Sequence, residues 1–263
     1  MDTAGLAADL LAAYRDRRPI APLVLRHPEM TPQEAYAVQL AQVRAWTDAG
    51  RTVRGHKVGL TSAVMQRQMG VTQPDYGHLM DDMFHMENTP VPADRYISPR
   101  VEPEIAFVLG RSLEGPCVTV PDAISAIDYV LPSLEIIDSR IENWRITLAD
   151  TIADNASSGG VVLGSTPVSL EQLTARGLSL RTLGCNLHVD GAIVGTGAGG
   201  AALGSPVNAL AWLANTVGPL GITLEAGSVI LPGSVTAAVP VRRGSTATAT
   251  FAGIGSVTAT FAG

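Results

Sequence analysis

Val53-Arg54-Gly55-His56-Lys57-Val58-Gly59-Leu60 marks a change in the pattern of the chain. Upstream of it, apolar residues recur at helical spacing. Downstream, short apolar runs are punctuated by glycine and proline, as strands and turns are. The first helix is predicted from Leu6, Leu10, Leu11 and Tyr14 in an Ala-rich stretch. Arg18-Pro19-Ile20-Ala21-Pro22 breaks it. Thr31-Pro32-Gln33-Glu34 has the form of a helix start, with Thr31 as N-cap, Pro32 at the first helical position and Glu34 completing a capping box. That second helix runs through Ala35, Val38, Leu40 and Val43 to about Trp46, and Gly50 stops it.

After the Val53–Leu60 stretch, residues 62–69 are predicted as one short helix ending at Gly70. Residues 71–99 read as loop-rich, with Pro74, Gly77, Pro90, Pro92 and Pro99. Strands are expected at 101–109, 129–137, 160–163 and 185–189, and helices at 121–126 and 208–214. The last third reads as strands at 227–231, 237–241, 247–251 and 255–261. There Ala-Thr-Phe-Ala-Gly occurs twice, at 249–253 and 259–263, as in two similar antiparallel strands. The prediction is an α+β chain of one domain over 1–263: a helical segment 1–50, then a β-rich catalytic body 51–263.

Composition narrows the function. With 46% hydrophobic and 16% charged residues, the chain has a core and is not disordered. Its 24 acidic against 18 basic residues, the latter scattered, speak against a nucleic-acid partner. Cys117 and Cys185 stand far apart in no metal spacing, which suits a reducing, cytoplasmic setting. No basic, apolar leader precedes the first helix, and no apolar run nears the roughly 18 residues of a membrane span. There is no GxSxG, P-loop or GxGxxG in the right context, and Gly197–Gly200 reads as a turn.

Three carboxylates carry the chemistry. Glu102 and Glu104 flank Pro103 in a strand pattern, so they share one face. The alternative is a pair of solvated glutamates on an edge strand, which Pro103 suits equally. Glu135 lies inside the apolar run Tyr129–Ile137, where a lone acid is a partnered buried group or a ligand. Three carboxylates without Cys or His partners suit Mg²⁺ or Mn²⁺ rather than zinc. Lys57, between Gly55 and Gly59, is either an acid–base group with a lowered pKa or a snorkelling strand lysine. Asp75, in Gln73-Pro74-Asp75-Tyr76-Gly77, has an Asx-turn as its plain reading. Asp150–Gly160 gathers small polar groups that either face a ligand or end a helix. His56 and His78 read as structural.

Taken in order, these segments resemble a known family. They are Gly55-His56-Lys57-Val58-Gly59-Leu60-Thr61-Ser62, Gly70–Gly77, Glu102-Pro103-Glu104-Ile105-Ala106-Phe107, Pro132–Ile141, Asp150–Ser158, Leu203–Asn208 and Gly253–Val257. The series resembles the 2-keto-4-pentenoate hydratases of the fumarylacetoacetate-hydrolase-like superfamily over residues 6–262. The resemblance implies a β-rich roll after N-terminal helices, and a site using Mg²⁺ or Mn²⁺ held by Glu102, Glu104 and Glu135. It carries over Lys57 as the active-site lysine, Asp75 as an acidic pocket residue, and Asn155, Ser158 and Leu60 as substrate contacts. It further implies a homo-oligomer, possible association with the next pathway enzyme, an aldolase, or with a sister decarboxylase, and no membrane partner.

The activity so implied is hydration of 2-hydroxypenta-2,4-dienoate to 4-hydroxy-2-oxopentanoate in meta-cleavage catabolism of aromatic compounds. A 4-oxalocrotonate decarboxylase, a hydratase of a longer dienoate and a non-catalytic partner subunit are the competing readings. A second substrate carboxylate needs a cation in the distal pocket, and Arg140 can be argued either way.

Overall fold

The computed structural model describes the backbone of residues 1–263 and every side chain except those of Met65, Gln68 and Met69. Two helices come first, α1 (Thr3–Asp16) and α2 (Pro32–Asp48). Asp2 caps α1, accepting from Gly5 N, and Thr31 and Glu34 form the expected capping box on α2. The body runs β1 (Val53–Gly59), α3 (Ala63–Met69), β2 (Asp75–Met80), β3 (Phe84–Met86), β4 (Arg100–Leu109), α4 (Val120–Ala126), β5 (Ile127–Ile137), α5 (Leu148–Ala153) and β6 (Ser158–Leu163). It continues with α6 (Leu170–Ala175), β7 (Gly184–Val189), β8 (Ala192–Ala198), α7 (Pro206–Val217), β9 (Val229–Leu231), β10 (Val239–Pro240), β11 (Thr246–Phe251) and β12 (Gly255–Thr260).

The large mixed sheet has the order β2-β1-β9-β4-β5-β6-β3, with β10 added to β4. Only β1–β9 and β3–β6 are parallel. Three steps separate β1 from β5, which is about 14 Å on a flat sheet at ~4.8 Å per strand. Yet Lys57 on β1 reaches Glu135 on β5 at 3.2 Å. The sheet is therefore curled, and its inner face is a shared interior.

Strand alternation divides the apolar residues between two faces. Leu79, Ala106, Val108, Leu131, Val161, Val229 and Leu231 fill the inside of the curl. Ile105, Phe107, Leu134, Ile136, Val162 and Ile230 face outward onto α7 and the second sheet, β12-β11-β7-β8. Truncating one of these, such as Leu134 at 0% exposure, costs about 2–5 kcal/mol. The repeated Ala-Thr-Phe-Ala-Gly falls on β11 and β12, which pair antiparallel.

The N-terminal helices hold α5 against the curl. Leu10, Ala35, Val38 and Ile152 share one apolar cluster. Two glutamines on the buried face of α2 tie the layers by their amides: Gln39 Nε2 donates to Tyr76 O and Ile152 O, and Gln42 Nε2 to Ala153 O.

Several local expectations are corrected. The prolines of 71–99 suggested loop, but β2 and β3 lie there, with β2 wholly buried. Asp75 opens β2 and is 1% exposed, so it is not an Asx-turn acceptor on the surface. The β4 strand is internal and not an edge: Pro103 O accepts from Val235 N, so the missing N–H of Pro103 faces the 232–238 loop, away from β5. The strand expected at 237–241 is only Val239–Pro240, and α6 and β8 were not anticipated. No helix among the described residues is long and apolar enough to cross a membrane.

Candidate active site

Alternation along β4 puts Arg100, Glu102 and Glu104 on the inner face. The β4–β5 register sets Glu135 opposite Glu102 and Ser133 opposite Glu104. One carboxylate oxygen from each of Glu102, Glu104 and Glu135 lies within 4.8 Å of the others. Glu104 and Glu135 are 1% and 0% exposed, and Glu102 forms part of a cavity wall.

Glu104 Oε2 accepts from Gly233 N at 2.6 Å. Gly233 has φ +119°, and a Cβ there would sit 2.0 Å from Thr61 Oγ1, so glycine is required on both counts. Glu104 Oε1 and both oxygens of Glu135 lack a hydrogen-bond donor, although Lys57 forms an ion pair with Glu135 Oε1. Burial, then the field of Glu135, pushes Glu102 up to about 7 and Glu104 well above the carboxylate range. Burial also raises Glu135, against the pull of Lys57.

Two like charges at this separation repel by on the order of 3–4 kcal/mol at an effective dielectric of ~20. One ammonium does not offset three such carboxylates. The unpartnered oxygens are free lone pairs, and the donor set is all oxygen. These residues fit a hard divalent cation, Mg²⁺ or Mn²⁺, held by Glu102, Glu104 and Glu135.

Lys57 is 3% exposed and committed on two sides, to Glu135 and, at 2.9 Å, to Ala156 O. Burial alone would lower its ammonium pKa. The fields of Glu135, Asp75, Glu102 and Glu104 outweigh burial and raise it, which corrects the expectation of a lowered value. The carbonyl of Ala156 is aimed by an unusual turn in which Asn155, Ala156 and Ser157 have φ of 53°, 51° and 55°. Consecutive left-handed non-glycine residues are costly and persist only where the surroundings impose them. Here Asn155 is clamped to β2: its Oδ1 accepts from His78 N at 2.8 Å and its Nδ2 donates to His78 O at 2.9 Å. Gly77, the register partner of Lys57, lets the turn approach, since a Cβ there would meet Asn155 O at 2.4 Å.

Asp75 Oδ2 accepts from Thr151 Oγ1 at 3.2 Å, and its Oδ1 is buried without a donor. Burial raises its pKa, against the pull of Lys57. Lys57, Asp75, Glu102 and Leu60 all line one cavity of about 370 Å³. At its wall the guanidinium of Arg100 stacks 4.4 Å over the Trp144 ring, whose Nε1 donates to Ser98 O.

The structure thus brings Lys57, Asp75, Leu60 and the three glutamates together. It does not bring Asn155 or Ser158 to the cavity wall. The Asn155 amide is spent on β2, Ser158 is 0% exposed, and Ser157 lines the cavity instead. His56 and His78 pack against each other on the opposite face of β1 and β2, at 4.8 Å between ring centroids. Arg140 is removed as a distal-pocket cation: it pairs with Asp154 at 2.5 Å and stacks on Tyr14. Arg100, Trp144 and Thr151 were missed. Arg100 carried a signal in its same-face spacing from Glu102, and Thr151 in lying within the polar stretch Asp150–Gly160.

Residues 50–262 match the fumarylacetoacetate (FAA) hydrolase C-terminal family, and the chain belongs to it. Within that family it is 45% identical over 255 residues to a 2-keto-4-pentenoate hydratase of Paraburkholderia xenovorans, covering 97% of this chain and 93% of that one. It is 42% identical over 262 residues to the 2-oxo-hept-4-ene-1,7-dioate hydratase of Escherichia coli, covering 97% and 96%. A 4-oxalocrotonate decarboxylase from Pseudomonas putida G7, solved with magnesium and adipate, superposes with a TM-score of 0.93 at 39% identity, covering 98% and 97%.

Proposed function

We propose that this chain is a divalent-metal-dependent hydro-lyase that adds water to 2-hydroxypenta-2,4-dienoate, giving 4-hydroxy-2-oxopentanoate. The observation that carries the reading is the convergence of Glu102, Glu104 and Glu135 beside Lys57, with Glu102 and Lys57 in the wall of one cavity. The likeness to hydratases over nearly the whole chain supports the reaction type.

The reaction moves the enol proton off the 2-oxygen and adds one at C5. Water then places its oxygen on C4, and a proton adds at C3. When bound, Mg²⁺ or Mn²⁺ supplies Lewis acidity and positive charge at the carboxylate and 2-oxygen of the substrate. The Lys57 ammonium donates to Ala156 O and faces Glu135 as an ion pair. Its remaining donor capacity is left for a substrate oxygen, so the Lys57 ammonium donates there and stabilises the charge left when the enol proton departs to solvent water. Asp75, oriented by Thr151, offers its unpartnered Oδ1 to position and deprotonate the attacking water. Leu60 and Ser157 form cavity wall beside them.

Decarboxylation of a 2-oxo diacid requires the same electron flow to the 2-oxygen, and the relative solved with magnesium and adipate keeps that reading in view. Loss of dienol absorbance with added Mn²⁺, abolished by chelation, and no CO₂ from 2-oxohex-3-enedioate is the result expected. CO₂ release with the dienol untouched would move the chain to the decarboxylases.

The same proposal extends to a cytoplasmic homo-oligomer. Cys117 and Cys185 are unpaired, as in a reducing compartment. Ile193 and Val194, 61% and 42% exposed on the edge strand β8, are a place where copies could meet. Light scattering measures the assembly.

A further inference from the structure

Arg140 is a buried cation outside the cavity described above. It is 1% exposed, and neither it nor its partner Asp154 lines that cavity. Three of its donors converge on this one partner. Nε donates to Asp154 Oδ1 at 2.5 Å, Nη2 to Asp154 O at 3.0 Å, and the backbone N to Asp154 Oδ2 at 3.0 Å. The Tyr14 ring covers the guanidinium at 4.0 Å.

Asp154 is where α5 gives way to the left-handed turn Asn155-Ala156-Ser157. Its carbonyl accepts twice, from Arg140 Nη2 and from Ser157 N at 2.9 Å, so the arginine grips the same oxygen that closes the turn. The exit of the turn is tied to the same layer. Ser157 O accepts from Asp138 N at 2.9 Å, and Ser158 O accepts from Tyr14 OH at 3.4 Å. Both ends of the turn are therefore fixed by the segment 138–140 and the tyrosine over it. Ala156 lies between these ends, and its carbonyl meets Lys57 Nζ at 2.9 Å.

Stability does not account for this arrangement. The attraction within a buried ion pair does little more than offset the desolvation of its two charges, and apolar residues of similar volume often serve a fold as well. What a guanidinium adds is geometry. Its planar fork has fixed donor directions, and here it holds the carboxylate and the carbonyl of one residue together. Left-handed non-glycine residues persist only where the surroundings impose them. Asn155 clamps the turn to β2, whereas Arg140 sets the direction of the carbonyl from which the turn starts.

We propose that Arg140 is a positioning residue for the reaction: through Asp154 it sets the left-handed turn, and so the Ala156 carbonyl that aims the Lys57 ammonium into the cavity. The inference rests on the hydratase reading for the role of Lys57 and adds to it a residue that touches neither the substrate nor the cavity.

The test compares wild type with Arg140→Lys and with a double variant, Arg140→Met with Asp154→Asn. The lysine keeps the charge and loses the fork. The double variant leaves no unpaired charge buried, so its Tm is expected to exceed that of Arg140→Met alone. Both are expected to lose about 10–10²-fold in kcat on 2-hydroxypenta-2,4-dienoate with Mn²⁺, the scale of a small misplacement remote from the chemistry, with KM little changed. Recovery of kcat together with Tm in the double variant overturns the inference, because the pair would then serve the fold alone. A loss confined to KM overturns it too, since that would put Arg140 in contact with substrate.

Hydrogen exchange on the metal-free proteins gives a readout independent of turnover. The amides of Asp138 and Ser157 are bonded at the two ends of the turn. In Arg140→Lys they are expected to exchange about tenfold faster or more, while the amides of the β4–β5 ladder keep their wild-type rates. Unchanged exchange at Asp138 and Ser157 overturns the inference, and so does an equal acceleration throughout, the mark of global destabilisation. If wild type hydrates no dienoate, the hydratase reading fails, while the exchange comparison still decides whether Arg140 sets the turn.

Discussion

Glu102 and Glu135 are register partners across the β4–β5 ladder, so two carboxylates stand directly opposite each other where cross-strand pairs are ordinarily complementary. Glu104 joins them from the same face. Such a cluster opposes folding until a cation occupies it. Mn²⁺ at a hundred times its Kd is therefore expected to stabilise the protein by about 2.7 kcal/mol. At about 2–4 °C per kcal/mol for a chain of this size, Tm rises by roughly 5–11 °C. Scanning calorimetry before and after chelation measures it. Glu104→Gln is expected to lose the shift while the metal-free variant is at least as stable as wild type. A full shift in that variant would remove Glu104 from the ligand set.

The same groups give the metal-free protein a definite pH dependence. Glu102 and Glu104 titrate higher in the fold than in the unfolded chain, whose reference value is 4.5. Their contribution to stability is complete below about pH 4.5 and is lost as pH rises through about 7, where Glu102 ionises. His56 and His78, held down by burial, act in the opposite sense: their contribution is present above 6.5 and lost as pH falls. The two trends are separated by comparing wild type with Glu104→Gln. Wild type is expected to lose more stability between about pH 5 and 8 than the variant, and added Mn²⁺ is expected to flatten the difference. Parallel curves would mean that the glutamates are not strained by their mutual approach.

Lys57 is expected to separate chemistry from metal binding. Its ammonium donates to Ala156 O, pairs with Glu135 and borders the cavity. Lys57→Met is expected to lower kcat by about 10²–10⁴, the ordinary range for a general acid–base group. The Mn²⁺-induced rise in Tm should persist, because the three carboxylates remain. Turnover within a few-fold of wild type would show that Lys57 only balances the charge of the cluster.

The strand pattern made the glutamates legible. Alternation around Pro103 put Glu102 and Glu104 on one face, and an acid inside an apolar run singled out Glu135. The capping box of Thr31 and Glu34 was equally plain, because it is local. What stayed hidden depends on distant parts of the chain. The curl that joins Lys57 to Glu135 spans three strand steps. Asp75 looked like a turn because Pro74 and Gly77 flank it, and only its pairing with Gly59 makes it a buried strand residue. Arg140 and Arg100 were indistinguishable as arginines until Asp154 was seen to claim one of them.

Asn155 is the residue whose expected and observed roles differ most, and the difference is measurable. As a substrate contact, its loss would raise KM and leave stability nearly unchanged. As the clamp on His78, it instead holds the left-handed turn that carries the Ala156 carbonyl to Lys57. Asn155→Ala removes two buried hydrogen bonds and leaves the His78 backbone groups unpaired, at about 1–3 kcal/mol for each buried group left so. The turn then relaxes, Lys57 loses its Ala156 partner, and kcat falls more than KM changes. Gly77→Ala should reproduce this kinetic signature without touching Asn155, because its Cβ would lie 2.4 Å from Asn155 O and the turn must retreat. Tm, kcat and KM of the two variants decide the matter: a shared loss in kcat with lowered Tm supports the clamp, whereas a pure KM effect in Asn155→Ala returns that residue to the substrate.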